Sequence, residues 1–121
     1  MKYLLSLYGN KELWASIPAE DWPGIIATQD AFNAKYAATG EMIAAYGLAE
    51  EDQVKVIRVR DGKATVTDGP YVEAKEFMGS TSILDVESEE RALEIAADAP
   101  FAAFRSVELW PLLHEAAQNQ Q

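Results

Sequence analysis

Within ten residues, Thr67-Asp68-Gly69-Pro70-Tyr71-Val72-Glu73-Ala74-Lys75-Glu76, the chain gathers a Gly-Pro turn, a phenol, an ammonium and three carboxylates. Glu73 and Glu76 lie three positions apart with Lys75 between them. That is a set of base, acid and cation whose charges tune one another, as proton transfer requires. Asp68, just before the turn, can act as an acid or base at a pocket edge, or can bond its own backbone as aspartate at the first position of a turn commonly does. Asp68, Glu73, Lys75 and Glu76 are therefore the candidate catalytic residues, and a solvated loop is the alternative reading. One predicted strand precedes the segment and another follows it, so two rigid elements hold its polar groups in place.

Candidate ligand contacts lie around this loop: Tyr8, Arg58, Tyr71 and Ser82. Tyr8 and Tyr71 can donate hydrogen bonds to a small anionic or carbonyl ligand, or can pack in the core with their hydroxyls satisfied at the surface. Arg58 and Arg105, on predicted strands, can clamp a carboxylate with two parallel bonds, although cross-strand pairing with a glutamate such as Glu108 is the plainer use. Ser80 and Ser82 with His114 do not make a nucleophile and base, because no G-x-S-x-G turn is present and His114 lies near the end of the chain. Trp14, Trp22, Phe32 and Tyr36 could be taken for an aromatic cofactor box only by ignoring their helical spacing, and core packing is the reading preferred.

The elements follow from periodicity. Tyr3, Leu5 and Leu7 alternate with Lys2, Leu4, Ser6 and Tyr8, which predicts a first strand ended by Gly9-Asn10. Trp22, Ile25, Ile26, Gln29, Phe32 and Tyr36 fall on one face of a helix from Pro23 to Thr39, with Gly40 as its stop and Pro23 in its first turn. Ser16 to Glu20 reads as a separate short turn. A short strand is expected over Glu41 to Leu48. Gln53 to Arg60 and Lys63 to Thr67 flank Asp61-Gly62, which predicts a two-residue hairpin because both residues tolerate positive φ. Phe77 to Val86 reads as a strand that is polar at Ser80, Thr81 and Ser82 although it is expected to lie centrally. Ser88 caps a helix that Pro100 terminates, and Arg105 to Trp110 closes the set as a last strand. The order is β-α-β, hairpin, β-α-β, the ferredoxin-like split arrangement of an α+β fold, as a single domain over residues 1–113 with a frayed tail at 114–121.

Bulk properties narrow the function classes. A chain of 121 residues holds one core. Its 49% apolar and 25% charged residues are a globular composition. A net charge of −10, with no Lys/Arg cluster, opposes binding to nucleic acid or to an anionic membrane surface. The absence of cysteine excludes disulfides, thiolate catalysis and cysteine-bound metals, and the single histidine cannot build a multi-histidine site within one chain. No cofactor is expected. The N-terminal apolar run is too short for a signal peptide or spanning helix, so a cytoplasmic protein is expected. Because both faces of the strands carry apolar or aromatic residues, the sheet face away from the helices needs a cover, and a homodimer packed sheet against sheet would supply it.

The signature TDGPYVEAKE resembles the TDGPF-x-E-x-K-E signature of the DGPF group within the YCII-related proteins. The similarity extends to the opening KYLLSLYG, Ala31-Phe32 in the first helix, VIRVRDGKATVTDGPY, the ILDV strand and the closing VELWP. The resemblance implies a dimeric α+β barrel. It also implies either a cofactor-independent enzyme that isomerises, eliminates or moves a proton on a cyclic or carbonyl metabolite, or a non-catalytic metabolite-binding or regulatory module linked to extracytoplasmic-function sigma factors. Tyr71 stands where phenylalanine is usual. Gln29 occupies a place where these proteins often show histidine, so the suspected histidine–aspartate pair lacks its base, and Gly79-Ser80-Thr81-Ser82 and Trp110 also depart from the pattern.

Overall fold

Alternation along β1 (Lys2–Gly9) divides its side chains between two environments in the computed structural model, which describes residues 1–69 and 75–117. Tyr3 and Leu5 are buried against the helices, and Leu4, Ser6 and Tyr8 take the opposite face. β1 pairs antiparallel with β5 (Phe77–Asp85) on one side and with β6 (Glu108–Pro111) on the other, and β5 pairs in turn with β2 (Met42–Gly47). The resulting sheet has the order β2-β5-β1-β6. This is the ferredoxin-like α+β arrangement, in which the two strands that enter the crossovers first and third are central. The described strands form no closed barrel. The strand with Ser80, Thr81 and Ser82 is central as expected.

The helices pack on one face. α2 (Trp22–Ala38) has Pro23 in its first turn and buries Phe32 and Tyr36. Gly40, at φ 83°, supplies the left-handed residue that lets the chain turn into β2. α3 (Glu89–Asp98) is capped by Ser88, whose Oγ accepts from the Arg91 amide at 3.1 Å, and buries Ala92, Ile95 and Ala96. Met42, Leu84, Val86 and Ala99 complete this core. Two polar fastenings hold α2, α3 and β2 together. Arg91 forms a bidentate pair with Glu41, at 2.8 and 2.9 Å, while Lys35 Nζ and Tyr36 Oη both donate to Asp98 at 2.9 and 2.8 Å.

Two short helices were not expected. Asn10 does more than end β1: its side chain accepts from the Leu13 amide at 2.7 Å and starts α1 (Lys11–Ala15). Pro100 stops α3 but also occupies the first turn of α4 (Pro100–Phe104), where its missing N–H costs nothing. This displaces the last strand. Arg105 caps α4, and pairing begins only at Glu108. Past β6, the Leu112 amide donates to the Lys2 carbonyl at 2.9 Å, and Lys2 forms an ion pair with Glu115.

β3 (Lys55–Arg60) and β4 (Lys63–Asp68) make a two-stranded ribbon separate from the main sheet. Asp61 and Gly62, at φ 53° and 74°, form the expected two-residue turn. The Gly69 amide closes the base of the ribbon by donating to the Val54 carbonyl at 2.8 Å.

Candidate functional site

The site begins with a glycine pair. β1 and β5 slip register between Leu7 and Tyr8, which pair with Ser80 and Met78, so Gly79 is left without a partner as a β-bulge. The indole of Trp14 lies across this bulge and across Gly9. A Cβ on Gly9 would stand 2.2 Å from the Trp14 ring, and one on Gly79 would stand 3.2 Å from it. At Gly9 any larger residue would displace the ring, and at Gly79 the ring would have to give by a few tenths of an ångström. Trp14 in turn packs against Trp22, with centroids 6.2 Å apart, and edge-on to Phe101 at 5.9 Å.

Beside this cluster is a cavity of about 310 Å³, bounded by Leu7, Trp14, Trp22, Phe77, Met78 and Phe101, with Asn10, Glu50 and Glu51 as its polar groups. Asn10 connects it to the signature segment, because its Nδ2 donates to the Lys75 carbonyl at 2.8 Å while its Oδ1 caps α1. One side chain thus fixes both the helix that carries Trp14 and the point where the signature segment returns to β5. On the far side of Phe101 lies a wider apolar groove of about 550 Å³ between the start of α2 and α4, lined by Ile17, Ile25 and Phe104 with Glu20 and Asp21. A third, polar recess of about 220 Å³ between α2 and β2–β5 is lined by Gln29, Asp30, Asn33, Tyr46, Ser80 and Ser82.

The candidate residues are distributed over several places. Asp68 ends β4, exposed, in an ion pair with Lys55. Glu76 pairs with Arg105. Lys75 is exposed, its carbonyl held by Asn10. Glu73 and Tyr71 lie outside the described residues. Arg58 is exposed on β3, in register with Thr65 and away from Glu108, which lies opposite Ser6 on the main sheet. Ser82 is buried on the helix side of β5, in the polar recess with Gln29, whose Nε2 donates to Asn33 Oδ1 at 3.1 Å.

Tyr8 sits on the sheet face away from the helices. Burial first, and then the negative charge of Glu108, push its phenol pKa up. Glu108 also accepts from Trp110 Nε1 at 3.0 Å. Leu4, Ile83 and the exposed rings of Tyr46 and Trp110 share this face. At its centre, opposite one another in register, are Ser6 Oγ and Thr81 Oγ1, buried oxygens without a hydrogen-bond partner among the described residues. Among these residues, no helix is long and apolar enough to cross a membrane.

Sequence reasoning missed the aromatic cavity. Trp14 and Trp22 had been assigned to the core, but both are half-buried and line the recess. The available signal was Gly9-Asn10 followed by Leu13-Trp14, a capping residue placed to start a helix straight off the strand.

An α+β chain with an open sheet face and an aromatic cavity at the root of a Gly-Pro signature segment is the class that fold and site define. The chain belongs to the YCII-related domain family, whose sequence profile matches residues 1–113. No curated protein matches the chain.

Proposed function

We propose that this protein is a homodimeric metabolite-binding module that holds a small, flat, largely apolar molecule in the Trp14 cavity, with its polar edge toward Asn10 and Glu50. The observation that carries the reading is the cavity itself: two tryptophans and two phenylalanines face a glycine-floored recess whose rim is tied to the signature segment through Asn10. Ligand sites are typically apolar recesses with a few convergent polar groups. Asp68 and Glu76 each sit in an ion pair with a residue of another element, which supports holding a ligand over moving its protons.

A second reading, proton transfer on a cyclic or carbonyl metabolite, draws on the same bond from Asn10, because it ties the Lys75 backbone to a residue of the cavity rim. In that case Lys75 would stabilise developing negative charge while Glu73 moved the proton.

A thermal-shift and tryptophan-fluorescence screen against small organic acids and aromatic lactones tests both. A ligand at about 100 times its Kd should raise Tm by on the order of 10 °C. That gain should be lost in Gly79→Val, which fills the recess, and kept in His114→Ala. Equal stabilisation in both variants would move the site elsewhere. Turnover of a hit that disappears in Lys75→Met would favour the enzymatic reading.

A further inference from the structure

The groove between the start of α2 and α4 lies on the far side of Phe101 from the Trp14 cavity. Ile17 and Ile25 line it from the α2 end, and α4 supplies Phe101 and Phe104, whose rings meet edge to face with centroids 5.4 Å apart. Its volume, about 550 Å³, is that of a small-molecule site. Gly24, in the first turn of α2, is part of the lining, and the rest of the fold gives no reason for a glycine there. Its backbone is helical, without the positive φ of Gly40 or Gly62, and a Cβ built on it would meet no described atom beyond its own helical turn within 4 Å. Glycine at such a position weakens a helix relative to alanine. A ligand lying against Gly24 accounts for the missing side chain.

The polar groups of the groove set the sign of that ligand. Glu20 and Asp21 are its only ionisable side chains among the described residues, both exposed, and neither carboxylate has a cation or a hydrogen-bond donor among those residues. The one hydroxyl of the lining, on Thr28, donates to the Gly24 carbonyl at 2.8 Å and so keeps its proton within the helix. The side chains therefore offer acceptors and negative charge but no donor. The positive end of α2, worth about half a charge, is outweighed by two carboxylates. An anionic ligand is repelled here, and an ammonium is attracted. We propose that the groove is a ligand site in its own right, which takes a lipophilic amine in its ammonium form. The nitrogen donates to Glu20 and Asp21, and the alkyl or aryl body lies over Gly24 against Ile17, Ile25 and Phe104. This site is separate from the Trp14 cavity and stands whether or not that cavity holds a ligand.

The probes are octylammonium, octanol and octanoate, three head groups on one apolar chain, titrated into the whole protein by calorimetry and followed by amide chemical shifts. At low salt octylammonium should bind at least ~10-fold more tightly than octanoate and should shift the amides of Ile17, Gly24 and Phe104. Glu20→Gln/Asp21→Asn should weaken it about 5-fold at low salt and much less at high salt. Glu89→Gln/Glu90→Gln, which removes the same charge from the start of α3, should leave it nearly unchanged. Gly24→Leu puts a better helix former where a Cβ has open space, so it should block the groove without lowering the melting temperature. Equal affinity for octanol or octanoate, or a Glu20/Asp21 variant that binds like the Glu89/Glu90 one, overturns the proposal. So does binding that is lost in Gly79→Val and kept in Gly24→Leu, which would put the amine in the Trp14 cavity. Failure of octylammonium to bind where a basic amphipathic peptide does would also sink it.

Discussion

Individual residues in this chain have taken on structural duties that their types alone did not announce. Asn10 caps one helix with its carbonyl oxygen and anchors the signature segment with its amide, while Gly9 and Gly79 are defined by the ring that rests on them. Glu41 is the clearest case in electrostatics: hydrogen bonds from Arg91 hold its carboxyl at about 2, against an ordinary 4.5. A carboxylate whose pKa is depressed on folding stabilises the native state above its unfolded value, and that contribution disappears as pH falls through the folded one. The stability difference between wild type and Glu41→Gln should therefore be full above about pH 4.5 and should vanish toward pH 2. Urea titrations across that window check it, and Arg91→Met should abolish the same difference.

Elements were read most securely where local chemistry alone decides them. Asp61-Gly62 formed its hairpin because positive φ at two successive residues suits few other pairs, and Ser88 started α3 because its hydroxyl reaches the Arg91 amide. Ser88→Ala should cost roughly 1 kcal/mol, read as a lower urea midpoint with an unchanged slope. Elements were missed where one residue has two roles. Asn10 and Pro100 were treated as endings, yet each also begins a helix, and α4 then pushed the last strand three residues later than its alternation suggested.

At the scale of the molecule, the sheet keeps one face under α2 and α3 and leaves the other to Leu4, Tyr8, Tyr46, Ile83 and Trp110. Buried hydroxyls such as those of Ser6 and Thr81 at its centre, which find no partner among the described residues, are costly, and a second sheet laid over them is a physical remedy. The proposed pairing predicts a two-fold dimer by light scattering, disrupted to monomer by Leu4→Glu with Trp110→Glu. A monomeric wild type at micromolar concentration would contradict it.

Alternation, capping and turn chemistry act over a few residues, so the sequence by itself determined the order of the principal strands and helices, the hairpin and the ferredoxin-like topology. The signature resemblance pointed to the family that the profile match then established. The cavity arose elsewhere. It depends on a register slip that strands Gly79, on Trp14 and Phe101 meeting from helices almost ninety positions apart, and on one amide bond to Lys75. Contacts between distant segments are set by packing in three dimensions, and no local pattern encodes them. Only the tertiary structure could decide that Asp68 and Glu76 are drawn into separate ion pairs while the aromatic residues assigned to the core open onto a recess.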